Sequence, residues 1–239
     1  MKTACLNLQL PDIINIQNNF MLKKVVFVLF LFILNLSSAQ NSSLKIINKP
    51  ISYSAERIQL SLEYLKEHHG LTQKTPTIVP KMIVLHYTAG GTVESNHKYF
   101  NKTHLESARN TLKKQSTLNV SSQFIIDRDG TIYQLMKPTQ FARHTIGLNY
   151  CAIGIENIGS KKQPLTEKQV EANAELVRYL TKKYKIEYLI GHSEYGIFRN
   201  SKLWKESDPN YFTGKEDPGK DFMTKVRKQI ADLHLKDKP

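Results

Sequence analysis

The run Met82-Ile83-Val84-Leu85-His86 decides the fold of this chain. Four apolar residues follow one another without a break and end at a histidine, a pattern typical of a short strand that is buried on both faces. A second short run, Tyr188-Leu189-Ile190, also leads to a histidine, in Gly191-His192. Sheet proteins tend to gather binding groups where their strands end, so the two runs predict a buried sheet with polar side chains at one edge.

Further strands and helices alternate along the chain around these two runs. A hairpin is predicted across the turn Asp127 to Gly130, because Asp-Gly supplies the positive φ angles that tight β-turns need. Thr166 and Gln169 have the form of a capping box at the start of a long helix. The other predicted elements are a helix over 54–69, hairpin strands at 124–126 and 131–135, a strand at 152–157 and a C-terminal helix after Pro218-Gly219. This alternation predicts an α/β fold with a single domain, in which a central mixed β-sheet is flanked by helices.

Composition limits the class of the protein. With 239 residues, 40% of them hydrophobic and 23% charged, the chain is long enough for one well-buried domain, whereas two full domains would have little room. Its net charge of +13 favours binding to polyanions, among them nucleic acid, anionic lipid head groups and cell-envelope polymers. Charge alone does not choose between these partners and a solvated surface with no partner.

The N-terminal residues have the pattern of a secretory signal. Val25 to Leu34 carries no charge, follows Lys23 and Lys24, and is followed by small residues three and one positions before Gln40. A membrane-spanning helix needs roughly twenty apolar residues, so this segment is too short to span. We expect cleavage after Ala39, with Met21 as the alternative start of translation, and export to the periplasm or beyond without a transmembrane span in the mature chain.

These features predict three regions. Residues 1–39 would be an N-terminal extension and signal peptide with its apolar part at 25–34, residues 40–79 an N-terminal helical segment, and residues 80–239 the domain that carries the motifs and the C-terminal helix. After cleavage a single cysteine, Cys151, remains, so no disulfide is expected within the mature chain.

Three reactive side chains, His86, Glu156 and His192, stand at or beside the ends of predicted strands. A lone histidine at a strand end is more often a hydrogen-bonded structural residue than a metal ligand, and two histidines with a nearby carboxylate shift that balance only modestly. Asp217 has a structural interpretation as well, because Asp-Pro-Gly is good turn chemistry before a helix. The residues alone therefore leave both a binding site and structural roles open.

Five segments taken together resemble a known family. In chain order they are Val84-Leu85-His86-Tyr87-Thr88, the segment DRDGTIYQ at 127–134, Ile153-Gly154-Ile155-Glu156, Gly191-His192-Ser193 and Lys215-Glu216-Asp217-Pro218-Gly219. This combination, from about Pro80 to Phe222, resembles the type 2 N-acetylmuramoyl-L-alanine amidases, which are related to peptidoglycan recognition proteins and to T7 lysozyme. The resemblance implies that the α/β fold predicted above is of the peptidoglycan recognition protein-like kind.

The resemblance implies a zinc site with one Zn²⁺ per chain. His86 and His192 would bind the ion through imidazole nitrogens, Asp217 would supply a carboxylate, and a water would take the fourth position. Three protein ligands and one open position are what a catalytic zinc site requires. Asp208 in Asp208-Pro209 is the competing carboxylate, but it lacks a lysine two residues earlier.

The resemblance also implies catalytic and substrate-binding residues. Glu156 matches a glutamate that takes a proton from water and passes it to the departing amine. Lys215 matches a lysine that places positive charge near the developing oxyanion. The implied substrate-binding residues are His144, Tyr87 and Gln123. Gln123 is a departure, because many relatives have a histidine there and an amide cannot act as an acid or a base near neutral pH.

The implied function is hydrolysis of the amide between the lactyl group of N-acetylmuramic acid and the L-alanine of the stem peptide. The partner would then be peptidoglycan or its soluble muropeptides, and a monomer is favoured. The alternative is a non-catalytic peptidoglycan-binding module of the same fold. Nucleic-acid binding is not expected, because the chain lacks a recognisable nucleic-acid motif and its export would be awkward for that role.

Overall fold

A six-stranded mixed sheet organises the described part of the chain, which in this computed structural model comprises residues 44–106 and 109–239. The strands are β1 (Ile46–Asn48), β2 (Met82–Tyr87), β3 (Phe124–Ile126), β4 (Ile132–Gln134), β5 (Ala152–Asn157) and β6 (Tyr188–Gly191), in the spatial order β1-β4-β3-β5-β2-β6. Only the hairpin pair β3 and β4 is antiparallel, and the other neighbours in the sheet run parallel. The prediction of a central mixed sheet is confirmed.

Five α-helices surround the sheet in the described residues. They are α1 (Ala55–His69), α2 (Val93–Asn101), α3 (Asn110–Gln115), α4 (Glu167–Lys183) and α5 (Lys220–Gln229), and the 3-10 segments are His192–Asn200 and Ala231–Leu233. Thr166 and Gln169 form the capping box predicted for α4, and the Ser54 side chain caps α1. None of the helices in this part of the chain combines the length and the apolar character of a membrane span.

The period of two along each strand separates the two faces of the sheet. On one face, Leu85 and Ile155 belong to a fully buried apolar core shared with α4 and α5. On the other face, Met82 and Val84 pack in a second cluster with Leu65 of α1. Burying each such side chain stabilises the fold by about 1.5–3 kcal/mol. Apolar packing thus determines which side chains point to each face of the sheet. His86 follows Met82 and Val84 in the alternation, so its side chain lies on the face covered by α1.

The structure differs from the sequence predictions at four elements. Strand β1 falls within residues 40–79, where only a helical segment was expected, and it pairs in parallel with β4 at the edge of the sheet. Helices α2 and α3 and the 3-10 segment His192–Asn200 were not predicted either, because each is short and none has a long apolar period. The predicted signal segment over 1–39 lies outside the described residues. Cys151 is buried and forms no disulfide among the described residues.

Candidate active site

The side chains of His86, His192 and Asp217 meet at one point on the α1 face of the sheet. The two histidine Nδ1 atoms are 3.0 Å apart, and Asp217 Oδ2 lies 3.1 Å from His192 Nδ1 and 3.3 Å from His86 Nδ1. All three residues are buried. Around a tetrahedral ion with bonds of about 2.0–2.2 Å, donor atoms stand about 3.3–3.6 Å from one another, so a small adjustment of this donor set accommodates Zn²⁺.

Sheet register brings the site together. His86 in β2 is the direct partner of Glu156 in the neighbouring parallel strand β5, and paired residues in parallel strands direct their side chains to the same face. Leu85 pairs with Gly191, the last residue of β6, so His192 follows beside His86. Asp217 lies in the loop before α5. Its backbone carbonyl accepts a 2.8 Å hydrogen bond from the Ser193 N–H group, which follows His192 directly.

The surroundings of His192 and Asp217 give these two groups the protonation states that a metal needs. Burial and the neighbouring His86 lower the pKa of His192 to about 4, so its imidazole is neutral at pH 7. Burial opposes the charge of Asp217, but hydrogen bonds with His192 and His86 outweigh this and hold the pKa of its carboxyl well below the usual range. A neutral imidazole and a carboxylate are the forms that bind zinc.

Glu156 lies in the same pocket without being one of the three converging groups. Burial raises the pKa of Glu156 to about 7, with the charge of Asp217 also raising it and those of His86, Arg109 and Lys215 lowering it. Its Oε2 atom is buried and has no hydrogen-bond partner among the described residues. Lys215 lines the pocket half-buried, and this burial lowers the pKa of its ammonium group. A carboxyl that titrates near neutrality is suited to exchanging protons.

A pocket of about 450 Å³ surrounds these groups. Tyr87 lies on its wall and donates a 3.0 Å hydrogen bond to Glu216 Oε1, and His144 lies on its wall with Nδ1 at 3.1 Å from His86 Nε2. Sequence reasoning missed Arg109, whose charge acts on both Glu156 and Lys215, and Tyr64 of α1. Neither belongs to a motif, so only the folded arrangement could identify them.

Gln123 was expected to bind substrate, but the structure places its side chain away from the pocket. Its side chain is fully buried. The Nε2 group donates 2.8 Å to the Gln140 carbonyl, and Oε1 accepts 2.7 Å from Gly154 N–H of β5. Because both ends of its amide form hydrogen bonds with backbone groups, Gln123 links the start of β3 to β5 and has a structural role.

Three comparisons relate the chain to known proteins. LysC, an N-acetylmuramoyl-L-alanine amidase from Clostridium intestinale URNW, is 22% identical over 80% of this chain and 99% of its own, with a TM-score of 0.45. Bumblebee PGRP-SA is 18% identical over 82% and 99%, with a TM-score of 0.46. Human PGRP-IBETAC, solved in complex with glycosamyl muramyl pentapeptide, is 20% identical over 55% and 90%, with a TM-score of 0.40. No curated protein matches the chain.

The family comparison covers well over half of the chain. The model of the N-acetylmuramoyl-L-alanine amidase family matches residues 74–220. This span contains β2 to β6, all three converging ligand groups and both implied catalytic residues. The resemblance found in the five sequence segments is confirmed, and the chain belongs to the N-acetylmuramoyl-L-alanine amidase family.

Proposed function

We propose that the protein is a zinc-dependent peptidoglycan amidase that hydrolyses the amide between the lactyl group of N-acetylmuramic acid and L-alanine. The single observation that carries this proposal is the placement of Glu156, whose Oε2 atom is buried and has no hydrogen-bond partner among the described residues, beside three converging zinc-type ligands. Membership of the amidase family supports the same reaction class. A binding module would need the groove but would have no use for a proton-exchanging carboxyl there.

His86, His192 and Asp217 are the proposed ligands of one Zn²⁺. When bound, the ion would lower the pKa of a water toward neutrality and polarise the amide carbonyl. Of these ligands Asp217 supplies one negative charge, and a histidine binds zinc as a neutral imidazole, so the ion would keep a net positive charge toward the substrate. Glu156 and Lys215 line the same pocket as the three ligands, and the amide would lie between them.

Glu156 is the proposed general base and acid. Its carboxylate takes a proton from the attacking water as the new carbon–oxygen bond forms, and it gives that proton to the amine of L-alanine as the carbon–nitrogen bond breaks. Lys215 is the proposed cation near the developing oxyanion. The attacking water supplies two protons. Glu156 carries one to the departing nitrogen, which gives a lactyl carboxylic acid and a peptide amine, and the second passes from that acid to the amine or to solvent, so the final products are a lactyl carboxylate and a peptide ammonium group.

The surroundings of the reaction are proposals as well. Residues 1–39 would direct export and be removed after Ala39, which places the enzyme in the periplasm or outside the cell. Residues 40–79 would form the N-terminal segment of a monomer whose amidase domain covers 80–239, and Tyr87 is the proposed substrate-binding residue at the pocket rim. Peptidoglycan or soluble muropeptides would be the partner.

Mass spectrometry of defined muropeptides digested with the purified chain tests the reaction. We expect free stem peptides that begin with L-alanine, together with glycans that keep an intact lactyl group. A chelator should stop their release and added zinc should restore it. Cleavage of another bond, or release that a chelator does not affect, would contradict the proposal. Retention of peptidoglycan without release of stem peptide would favour the non-catalytic binding module.

A further inference from the structure

His144 lies half-buried on the pocket wall, next to His86. Its ring lies against Gly154 of β5, where an added Cβ would stand 2.9 Å from the ring Cγ and 3.0 Å from Nδ1. These distances are shorter than normal contacts, so only glycine leaves room for the ring. The backbone N–H groups of His144 and Thr145 donate to Oδ1 of the fully buried Asn149 at 2.8 and 2.6 Å. The position of the imidazole is therefore set from both sides.

Both ring nitrogens of His144 already have partners within the protein. Nε2 lies 3.2 Å from the Ala152 carbonyl oxygen, and Nδ1 lies 3.1 Å from His86 Nε2 and 2.9 Å from Thr145 Oγ1. A substrate could meet only the carbon edge of this ring. His144 was expected to bind substrate, and its ring nitrogens are not available for that contact because they are directed at Ala152, Thr145 and His86.

Proton positions follow from the chemistry of these partners. A carbonyl oxygen can only accept, so the hydrogen of a neutral His144 is on Nε2 and directed at Ala152. Nδ1 of His144 is then an acceptor that both the Thr145 hydroxyl and His86 Nε2 reach, and the 3.1 Å contact between the two rings is a hydrogen bond only when His86 carries its hydrogen on Nε2. A neutral His86 that carries its hydrogen on Nε2 has its lone pair on Nδ1. That atom is the one that faces His192 Nδ1 and Asp217 Oδ2.

We propose that His144 is a positioning residue that holds His86 in the orientation and tautomer required for binding metal through Nδ1. The proposal rests on the zinc site of the proposed function and adds a role outside the three ligands. Partners of this kind fix the ring and the tautomer of ligating histidines, and their loss typically weakens metal affinity about 10- to 100-fold. Here the partner is an imidazole that is itself fixed by a backbone carbonyl of β5.

Two variants of the full chain separate this role from simple packing. His144→Leu fills much of the space but cannot accept a hydrogen bond, whereas His144→Asn places a carbonyl oxygen near the position of Nδ1. Competition with a chromophoric chelator gives the zinc Kd of each. We expect His144→Leu to bind zinc about 10- to 100-fold more weakly than the natural chain and His144→Asn to recover most of the loss. Thermal unfolding of the metal-free variants shows that each is folded.

Nitrogen-15 NMR of the metal-free protein reads the tautomer directly. In the natural chain and in His144→Asn, His86 should carry its hydrogen on Nε2, and in His144→Leu it should be a mixture of tautomers. Unchanged zinc affinity and an unchanged His86 tautomer in folded His144→Leu would overturn the inference, as would a raised KM with an unchanged zinc Kd. In those cases the natural chain still binds zinc and the proposed function stands. Failure of the natural chain to bind zinc would overturn the metal site and this inference together.

Discussion

Two buried clusters in this protein each combine two histidines with a carboxylate, yet only one has the geometry of a metal site. In the strand-end cluster (His86, His192 and Asp217), one atom of each side chain lies within 4.8 Å of the others. In the helix-end cluster (His68, His69 and Glu206), His68 Nδ1 lies 2.9 Å from Glu206 Oε1 and its Nε2 lies 3.1 Å from the Gln115 carbonyl. His69 Nδ1 faces a different atom, the Lys205 carbonyl. A metal site therefore needs donor atoms that converge on one point, and the right residue types alone are not enough.

Secondary structure explains why one set converges and the other does not. Neighbouring residues on a helix point about 100° apart, so the rings of His68 and His69, the last two residues of α1, diverge. Adjacent parallel strands do the opposite, because they bring side chains at matching positions to the same face and the same edge. The helix-end cluster instead attaches the end of α1 to residues 205–207.

Removing one histidine from each cluster should separate them most strongly. His86→Ala should lower bound zinc from about one per chain to almost none and reduce hydrolysis to the background rate, because two ligands remain. The matched variant His68→Ala should keep its zinc. Elemental analysis of the dialysed proteins measures the metal content. Equal zinc contents in the two variants would contradict the distinction between the clusters.

Within the strand-end region, the ligands and the proposed base should respond differently. Glu156→Gln should keep its zinc and lose about 10²- to 10⁴-fold in the rate of stem-peptide release, because the amide cannot exchange a proton. Glu171→Gln on the exposed surface of α4 is the control and should have the natural rate. Rate assays on a defined muropeptide, with zinc content measured in parallel, test this. Natural activity in Glu156→Gln would refute the assigned base.

The helix-end cluster should affect stability and leave the metal alone. Glu206→Gln replaces a carboxylate whose side chain is 1% exposed and which bonds His68, so we expect the free energy of unfolding to fall by about 1–3 kcal/mol. Zinc content and hydrolysis at moderate temperature should stay unchanged. Urea unfolding of the metal-free proteins measures the difference. Loss of zinc from folded Glu206→Gln would show that the two clusters are coupled.

A smaller effect concerns pH. Burial lowers the pKa of His68, but its hydrogen bond and ion pair with Glu206 more than offset this, and the pKa lies above the ordinary 6.5. A raised pKa in the folded state means that the pair stabilises the fold fully below about pH 6.5 and that this contribution is lost as pH rises through the folded value. The gap in unfolding free energy between the natural chain and His68→Gln should therefore be larger at about pH 6 than at about pH 9. A gap that grows with pH would have the wrong sign for this pair.

The strands of the site could be predicted from the sequence more easily than its loops. Strands β2, β5 and β6 are continuous apolar runs, so their existence, and the placing of His86, Glu156 and His192 at their ends, followed from local pattern. Strand β1 has only three residues and gains its partner β4 from far along the chain, so no local signal marks it. Asp217 lies in a loop, and its proximity to the histidines is a tertiary fact that only the family resemblance anticipated.

The surroundings of the ligands were less predictable for the same reason. Whether a polar side chain faces the pocket or the backbone depends on neighbours that are distant in sequence. Gln123 is held by Gln140 and Gly154, and His144 by Ala152 and His86. Tyr64 reaches the pocket from a helix that precedes the family match. Motif spacing carries no information on such contacts.

Anomalous X-ray diffraction at the zinc edge from crystals of the zinc-loaded chain tests the distinction between the clusters most directly. Convergence predicts one strong peak about 2.0–2.2 Å from the Nδ1 atoms of His86 and His192 and from the Asp217 carboxylate, and none beside His68, His69 and Glu206. A peak at the helix-end cluster, or zinc bound to the chain without a peak at the strand-end cluster, would contradict the account.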